Sequence, residues 1–300
     1  MRTTPIIIAA VVAAAGSAAH ADVFSDWNLV VRNNLNNTSE VDGSAMIGGN
    51  LSGTSNYAVQ GVTSSTGDGL VVGGNLAAGF NYQINNGGNL RLSGSIFGTA
   101  NLNGGGSTIN DGSVGSMVTN AMTQAEGLSN FFAGYGATGS VDGAGNMNAS
   151  TTTIGGQQVA FYTITQSDIN GLGQLNLNMG SADTVVINFD ASGSAGVANF
   201  NAPPNLIGGF NQGNSSSIVW NFLNTTQLNV NNSFNGMILA TDADLSLTGG
   251  GINGSVFVDN ISTMNAEIRR STYTGVTPAP GTVGALALGG LFAARRRRTA

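Results

Sequence analysis

The sequence predicts an all-β fold: a β-solenoid, parallel β-helix-like, with one amphipathic helix packed on its flank. Three observations predict it. Short runs of β-forming residues alternate with Gly/Asn turns along the chain. The hexapeptide Met46-Ile47-Gly48-Gly49-Asn50-Leu51 returns 25 positions later as Val71-Val72-Gly73-Gly74-Asn75-Leu76. One segment alone switches from strand-like to helical periodicity.

The strand-like runs are Trp27–Val31, Ala45–Ile47, Leu70–Val72, Asn89–Leu92, Val159–Ile164, Thr184–Phe189, Ile218–Phe222, Met237–Ala240, Leu245–Leu247 and Ser255–Val258. A looser copy of the hexapeptide core stands at Asn86-Gly87-Gly88-Asn89-Leu90. A period of about 20–30 residues built of strand, turn and strand suits solenoid rungs that bury Val, Ile and Leu inward. Glycine and asparagine are expected at the corners because they tolerate φ > 0. A β-sandwich is the alternative, since its turn signals also recur every 8–12 residues or so. Val114, Met117, Val118, Ala121, Met122, Ala125, Leu128 and Phe132 form a helical stripe, which predicts a helix over 114–132. Asp111 or Ser113 can cap its start and Gly134 can end it. Residues 135–157 read as a surface loop.

Both termini read as signals. Arg2, the apolar run Ile6–Ala15 and Ala19-His20-Ala21 have the form of a secretory signal over residues 1–21. At the other end Pro278-Ala279-Pro280 precedes fourteen uncharged residues, Gly281–Ala294, and then Arg295–Arg298. Fourteen helical residues reach only about 21 Å, short of a bilayer core of roughly 30 Å. The stretch 281–294 therefore suits transient membrane association, and the arginine block marks a cytoplasmic end. The tail, 276–300, resembles the PEP-CTERM sorting signal, which implies an exosortase-like sorting enzyme as a partner. That family has Glu between the prolines; here Ala279 stands there.

Without these segments the chemistry is narrow. Region 22–280 has no Lys, His or Cys, and holds Arg32, Arg91, Arg269 and Arg270 against fifteen carboxylates, a net charge of −11. Ser-His-Asp triads, Ser-Lys dyads, thiol nucleophiles, lysine Schiff bases and His/Cys zinc sites are excluded. Nucleic acid and anionic lipid, which need a cationic surface, are poor partner candidates for so acidic a chain. Cofactors are not expected, and neither disulfides nor metal thiolates can staple the fold. Asparagine (37) and glycine (46) dominate, yet hydrophobic residues make up 41 %, which favours an ordered, turn-dense β protein over disorder.

The ordered set of motifs over 24–275 resembles the choice-of-anchor A domain, an adhesion-associated β-helical domain of bacterial surface proteins. The resemblance rests on Trp27-Asn28, Ser39–Gly43, both Gly-Gly-Asn-Leu runs, Thr184–Asn188, Val219–Phe222, Phe234–Ala240, Gly250–Val256 and Tyr273-Thr274-Gly275. The family carries a proline after the residue matching Ala240; Thr241 stands there. The resemblance implies surface display and adhesion, carries no catalytic residues across, and sets the domain at 22–275.

Candidate sites are sparse. Asp242 and Asp244 share one face of a strand with Ala243 on the other, a pattern that suits solvated acids, a Ca²⁺ ligand pair or, at the limit, glycosidase carboxylates. Asp142-Gly143-Ala144-Gly145-Asn146 lacks the rest of an EF-hand, and Gly104–Gly112 fits a turn leading into the helix. Gly48-Gly49-Asn50 lacks Walker spacing and reads as a structural turn. Outward Asn, Ser and Thr, with Tyr57, Tyr82, Tyr162 and Tyr273 as stacking platforms, could bind sugars; internal Asn ladders are the other use of the same residues. The expectation is an exported, surface-displayed, non-enzymatic protein that mediates adhesion or organises extracellular polysaccharide. A polysaccharide lyase or hydrolase is the alternative, with only the four arginines to serve and no acid cluster evident beside them. Ice or crystal-surface binding is a third class, supported only by Thr151-Thr152-Thr153.

Overall fold

The computed structural model describes residues 23–201 and 203–278. The expected signal over 1–21 and the tail beyond Pro278 lie outside the described residues. Among the described residues, no helix is long and apolar enough to cross a membrane.

The chain winds into a three-faced parallel solenoid. The first face runs, in spatial order, Thr108–Asn110, Asn89–Leu92, Asp68–Val72, Ala45–Ile47, Leu29–Val31, Val256–Met264, Met237–Leu247, Ile218–Leu223, Thr184–Asp190, Gln157–Thr165 and Thr151–Ile154. The second face is made by Leu35–Asn37, Leu51–Ser52, Val197–Phe200, Gln227–Val230 and the distal halves of Met237–Leu247 and Val256–Met264. Single bridges at Leu76 and Ile96 extend it. Seven strands from Thr99–Leu102 to Phe234–Asn235 form the third face, and a separate four-stranded sheet serves the C-terminal half. Within these sheets only Thr151–Ile154 with Gln157–Thr165, and Ser140–Val141 with Asn146–Asn148, pair antiparallel. Parallel stacking of all the other pairs decides for the solenoid over the sandwich.

The path is not sequential. The chain begins in the middle at Leu29–Val31, climbs rung by rung to Thr108–Asn110, then enters the helix Val114–Ala133. It resumes at the opposite end and winds back until Val256 lies beside Leu29, Phe257 beside Val30 and Val258 beside Val31. A 20-residue helix spans about 30 Å, or some six rungs at roughly 4.8 Å each. It therefore returns the chain along the flank while covering the first face.

That cover explains why first-face strands are apolar on both sides, as parallel strands usually are. Leu29, Val31, Ala45, Ile47, Leu70 and Val72 point into the solenoid core. Val30, Met46, Val71, Val186, Val219 and Leu239 point outward and meet Val118, Met122, Leu128 and Phe132 of the helix. The helix matches its predicted span within one residue. Ser113 sits at its N-cap without a side-chain cap; its hydroxyl bonds Asp111 instead, at 2.6 Å. At the C-terminus Asn188 and Asn221 donate from the sheet to the carbonyls of Phe132 and Ser129, both at 3.0 Å. Two amides on a β face thus add a second hydrogen bond to carbonyls of the helix's last turns and tie the helix to the sheet.

The Gly-Gly-Asn repeats do stack, Met46 on Val71 and Ile47 on Val72. Their glycines, however, have no positive φ. They are required by close approach: a Cβ on Gly49 would lie 2.6 Å from Asn34 Oδ1, and one on Gly74 2.6 Å from the carbonyl of Gly49. The looser copy is out of register, because Leu90 stacks on Leu70 rather than on Leu76. The true next rung is Gly94-Ser95-Ile96, with Ile96 bridged to Leu76. Residues 135–157 are not simply a loop. They form the strands Ser140–Val141, Asn146–Asn148 and Thr151–Ile154, with Met147 fully buried in the core.

Candidate binding surface

Asparagine has two distinct uses in this fold. At the corner between the first and second faces it builds a ladder. Asn260 Oδ1 accepts the Asn34 amide at 3.1 Å, Asn34 that of Asn50 at 2.9 Å, Asn50 that of Asn75 at 2.9 Å, and Asn75 that of Ser95 at 2.8 Å. Asp244 Oδ1 extends the series to the Ser262 amide at 2.9 Å. Each side chain takes over a backbone N–H that the turn leaves unpaired. These asparagines hold rungs together.

A second set lines an open groove of about 520 Å³ at the edge of the third face, formed by Glu40, Asn56, Val59, Asn85, Asn86, Asn103 and Gly104. Strand alternation positions it. In Ser55–Tyr57 and Asn81–Ile84, Tyr57, Tyr82 and Ile84 point inward, leaving Asn56 and Gln83 outside. Every groove asparagine donates from its amide to the protein, Asn86 and Asn103 with both N–H groups, Asn56 and Asn85 with one each. Asn56 donates to Glu40 Oε1 (3.2 Å), Asn85 to the Tyr57 carbonyl (3.1 Å), Asn86 to those of Ala58 (2.7 Å) and Val59 (3.0 Å), and Asn103 to Gln83 Oε1 and Asn85 Oδ1 (both 3.0 Å). The Oδ1 atoms of Asn56, Asn86 and Asn103 accept no hydrogen bond among the described residues. The groove is therefore richer in acceptors than in donors, with one N–H each left on Asn56 and Asn85 and Glu40 as its one charged lining residue. Such a wall suits hydroxyl donors.

The tyrosines do not serve as platforms. Tyr57, Tyr82, Tyr162 and Tyr273 are 0, 0, 1 and 4 % exposed. Tyr57 O–H is ringed by Asn37 and Ser55, Tyr82 donates to Leu51 and Ala77 carbonyls, and Tyr273 donates to Val276. Burial pushes the Tyr57 hydroxyl far up and that of Tyr162 up to about 12. The Tyr162 hydroxyl is buried without a partner, its ring packed against Gly139.

Three of the four arginines do adjoin acids, contrary to the reading of the sequence, while Arg270 forms no ion pair among the described residues. Arg91 bridges buried Asp68 (2.9 Å) and Asp111 (2.8 Å). Hydrogen bonds from Ser113, then from Arg91, hold the Asp111 carboxyl down at about 2. Arg32 joins Glu126 of the helix (2.5 Å) to Asp259 (2.9 Å), and Arg269 pairs with Glu267 (2.8 Å). These are structural clamps, each cation already matched. Asp242 is exposed and acts on Arg32, while Asp244 is occupied by Ser262; the two are not brought onto a common ligand. Asp142 closes its own turn through the amides of Ala144 and Asn146, both at 2.9 Å. Gly104 and Gly105, both at positive φ, turn the chain into the short strand Thr108–Asn110 before the helix. Among the described residues no group of three or more His, Cys, Asp or Glu could hold a metal ion.

The groove residues were not singled out from sequence. The signal was present in Ser-Asn-Tyr and Asn-Tyr-Gln-Ile, where period-two alternation places tyrosine inside and amides outside.

No curated protein matches this chain. Among solved structures, an ice binding protein from an Antarctic bacterium of the Flavobacteriaceae is similar over 84 % of this chain and 80 % of its own, at 12 % identity and a TM-score of 0.31. A family model matches residues 20–270, most of the described solenoid, and the chain belongs to that family, described as "Putative Ice-binding-like adhesive domain".

Proposed function

We propose that this protein is an exported, surface-displayed, non-enzymatic adhesin that binds neutral extracellular polysaccharide in the acceptor-lined groove. The observation that carries the reading is that the protein itself takes both N–H groups of Asn86 and Asn103 and one each of Asn56 and Asn85, which leaves mostly oxygens to meet sugar hydroxyls. The family supports adhesion. The net charge of −11 over 22–280 disfavours polyanionic uronates. We also propose that the domain is of the choice-of-anchor A kind, that residues 1–21 export it, and that an exosortase-like enzyme processes the PEP-CTERM-like tail after transient membrane association through 281–294.

The test is binding of the purified protein to immobilised neutral and uronate polysaccharides. Binding to neutral chains, insensitive to salt and weakened about fivefold in Asn86→Gly, supports the reading, since one charge-free hydrogen-bonding group is worth about 1 kcal/mol. Asn86 has φ of +54°, so glycine keeps the backbone. Binding confined to uronates, or an unaffected Asn86→Gly, would sink it. Turnover of a polysaccharide would favour the lyase or hydrolase alternative. Thermal hysteresis would favour ice binding, although Thr151 and Thr153 already bond Gln158.

A further inference from the structure

The two ends of the solenoid are built differently. One, the closed end, finishes in antiparallel pairs, Thr151–Ile154 on Gln157–Thr165 and Ser140–Val141 on Asn146–Asn148, whose outer strands also pair on one side only. At the other, Thr99–Leu102 and Thr108–Asn110 are edge strands, each paired on one side only. The inward row Leu35, Leu51 and Leu76, at most 1 % exposed, ends there in Ile96 at 39 %, beside Phe97 at 64 %.

Proteins ordinarily blunt such an edge with charge, proline or a bulge. From Ser93 to Asn110 there is no Asp, Glu, Lys, Arg or Pro. The rung beneath, Gly69–Leu90, is also uncharged, and Arg91 is matched by Asp68 and Asp111. The closed end, by contrast, carries exposed Asp142, Asp168 and Asp183. Two copies of so acidic a chain repel through most of their surfaces, but not through this one.

We infer that the open end is a self-association surface, on which a second copy of this chain docks end to end. The occupant follows from charge: the neutral end meets its own kind, whereas closed ends repel one another. A two-fold arrangement makes the patch self-complementary, with edge strands of the two copies antiparallel and the Ile96 and Phe97 side chains packed across the axis. It also sets the two acceptor grooves near the joint, because Asn103 and Gly104 belong to the terminal rung. The inference does not depend on what the groove binds.

The experiment is sedimentation of the full chain over about 1–100 μM, the range in which a modest interface self-associates. The expected result is a monomer–dimer equilibrium that weakens at least tenfold in Phe97→Asp, with the variant's melting temperature, measured at dilution, unchanged because Phe97 lies on the surface. The chain has no cysteine, so Thr99→Cys gives a second readout: a disulfide-linked dimer on oxidation, absent when Phe97→Asp is added. A monomer throughout the range overturns the inference. So does a dimer indifferent to Phe97→Asp, or open-ended polymerisation, which would mean head-to-tail contact.

Discussion

Gly74→Ala isolates the reason for glycine in the stacked repeats. The new Cβ would lie 2.6 Å from both the carbonyl carbon and the oxygen of Gly49, where ordinary contact begins at 3.4 Å. Relief requires the two rungs to part by about 0.8 Å. Three hydrogen bonds cross that gap locally: Gly73 N to Ile47 O (2.8 Å), Gly74 N to Gly49 O (2.8 Å) and Asn75 N to Asn50 Oδ1 (2.9 Å). Stretched by that amount, all three leave hydrogen-bonding range. At about 1 kcal/mol each the loss is roughly 3 kcal/mol, at the upper end of ordinary overpacking costs. Urea unfolding reads it as a midpoint lowered by about 1 M for a slope near 3 kcal/mol/M. Gly115→Ala is the control: nothing lies within 4 Å of its added Cβ, and it is exposed on the helix. It should gain up to about 1 kcal/mol from helix propensity. A Gly74→Ala loss under about 1 kcal/mol would refute steric stacking as the constraint on these positions.

Two further outcomes follow from the packing. Asn221→Ala removes the donor to the Ser129 carbonyl and to Asn188 Oδ1 (2.8 Å), leaving the buried Asn188 oxygen unpaired while also removing Asn221's own unpartnered Oδ1; a loss of about 1–2 kcal/mol in urea unfolding is expected, and a neutral result would mean the tether is idle. The Tyr162 hydroxyl, raised to about 12, is neutral in the fold and ionises nearer 10 when unfolded. Its contribution is complete below pH 10 or so and is lost as pH rises toward 12. Tyr162→Phe should therefore flatten the alkaline fall in melting temperature while matching or exceeding the wild type at neutral pH, since its hydroxyl has no partner to lose.

Much of the solenoid was legible because its strands are buried on both faces, so short Val/Ile/Leu runs stand out from Gly/Asn turns. The stripe Val114–Phe132 was equally clear, as every third or fourth residue had to meet the sheet. The chain path was not legible. Leu29 pairs with Val256, and no local pattern records a contact between residues so far apart. The third rung was misregistered for a related reason: Asn89-Leu90 repeats the motif's letters, while Gly94-Ser95-Ile96 repeats its stacking. What the rung conserves physically is an absent Cβ above a carbonyl and an acceptor for the next amide. Only the first of these demands a particular residue.

The candidate groove was less legible for a different reason: residue type does not report register. Tyrosine and asparagine both suit sugars, so type alone makes both candidates for the outer surface. Yet Tyr57 and Tyr82 occupy inward positions of parallel rungs, where a ring fills volume that no amide could. Asparagine then divides by neighbour rather than by type. Where the next rung offers an unpaired N–H, as at Asn34, Asn50 and Asn75, the side-chain oxygen is spent and the residue is structural. Where it offers carbonyls, as at Asn86, the nitrogen is spent and the oxygen faces outward. A fold built on asparagine thus separates scaffold from surface by which end of the amide it consumes, and that choice is set by the strand beneath.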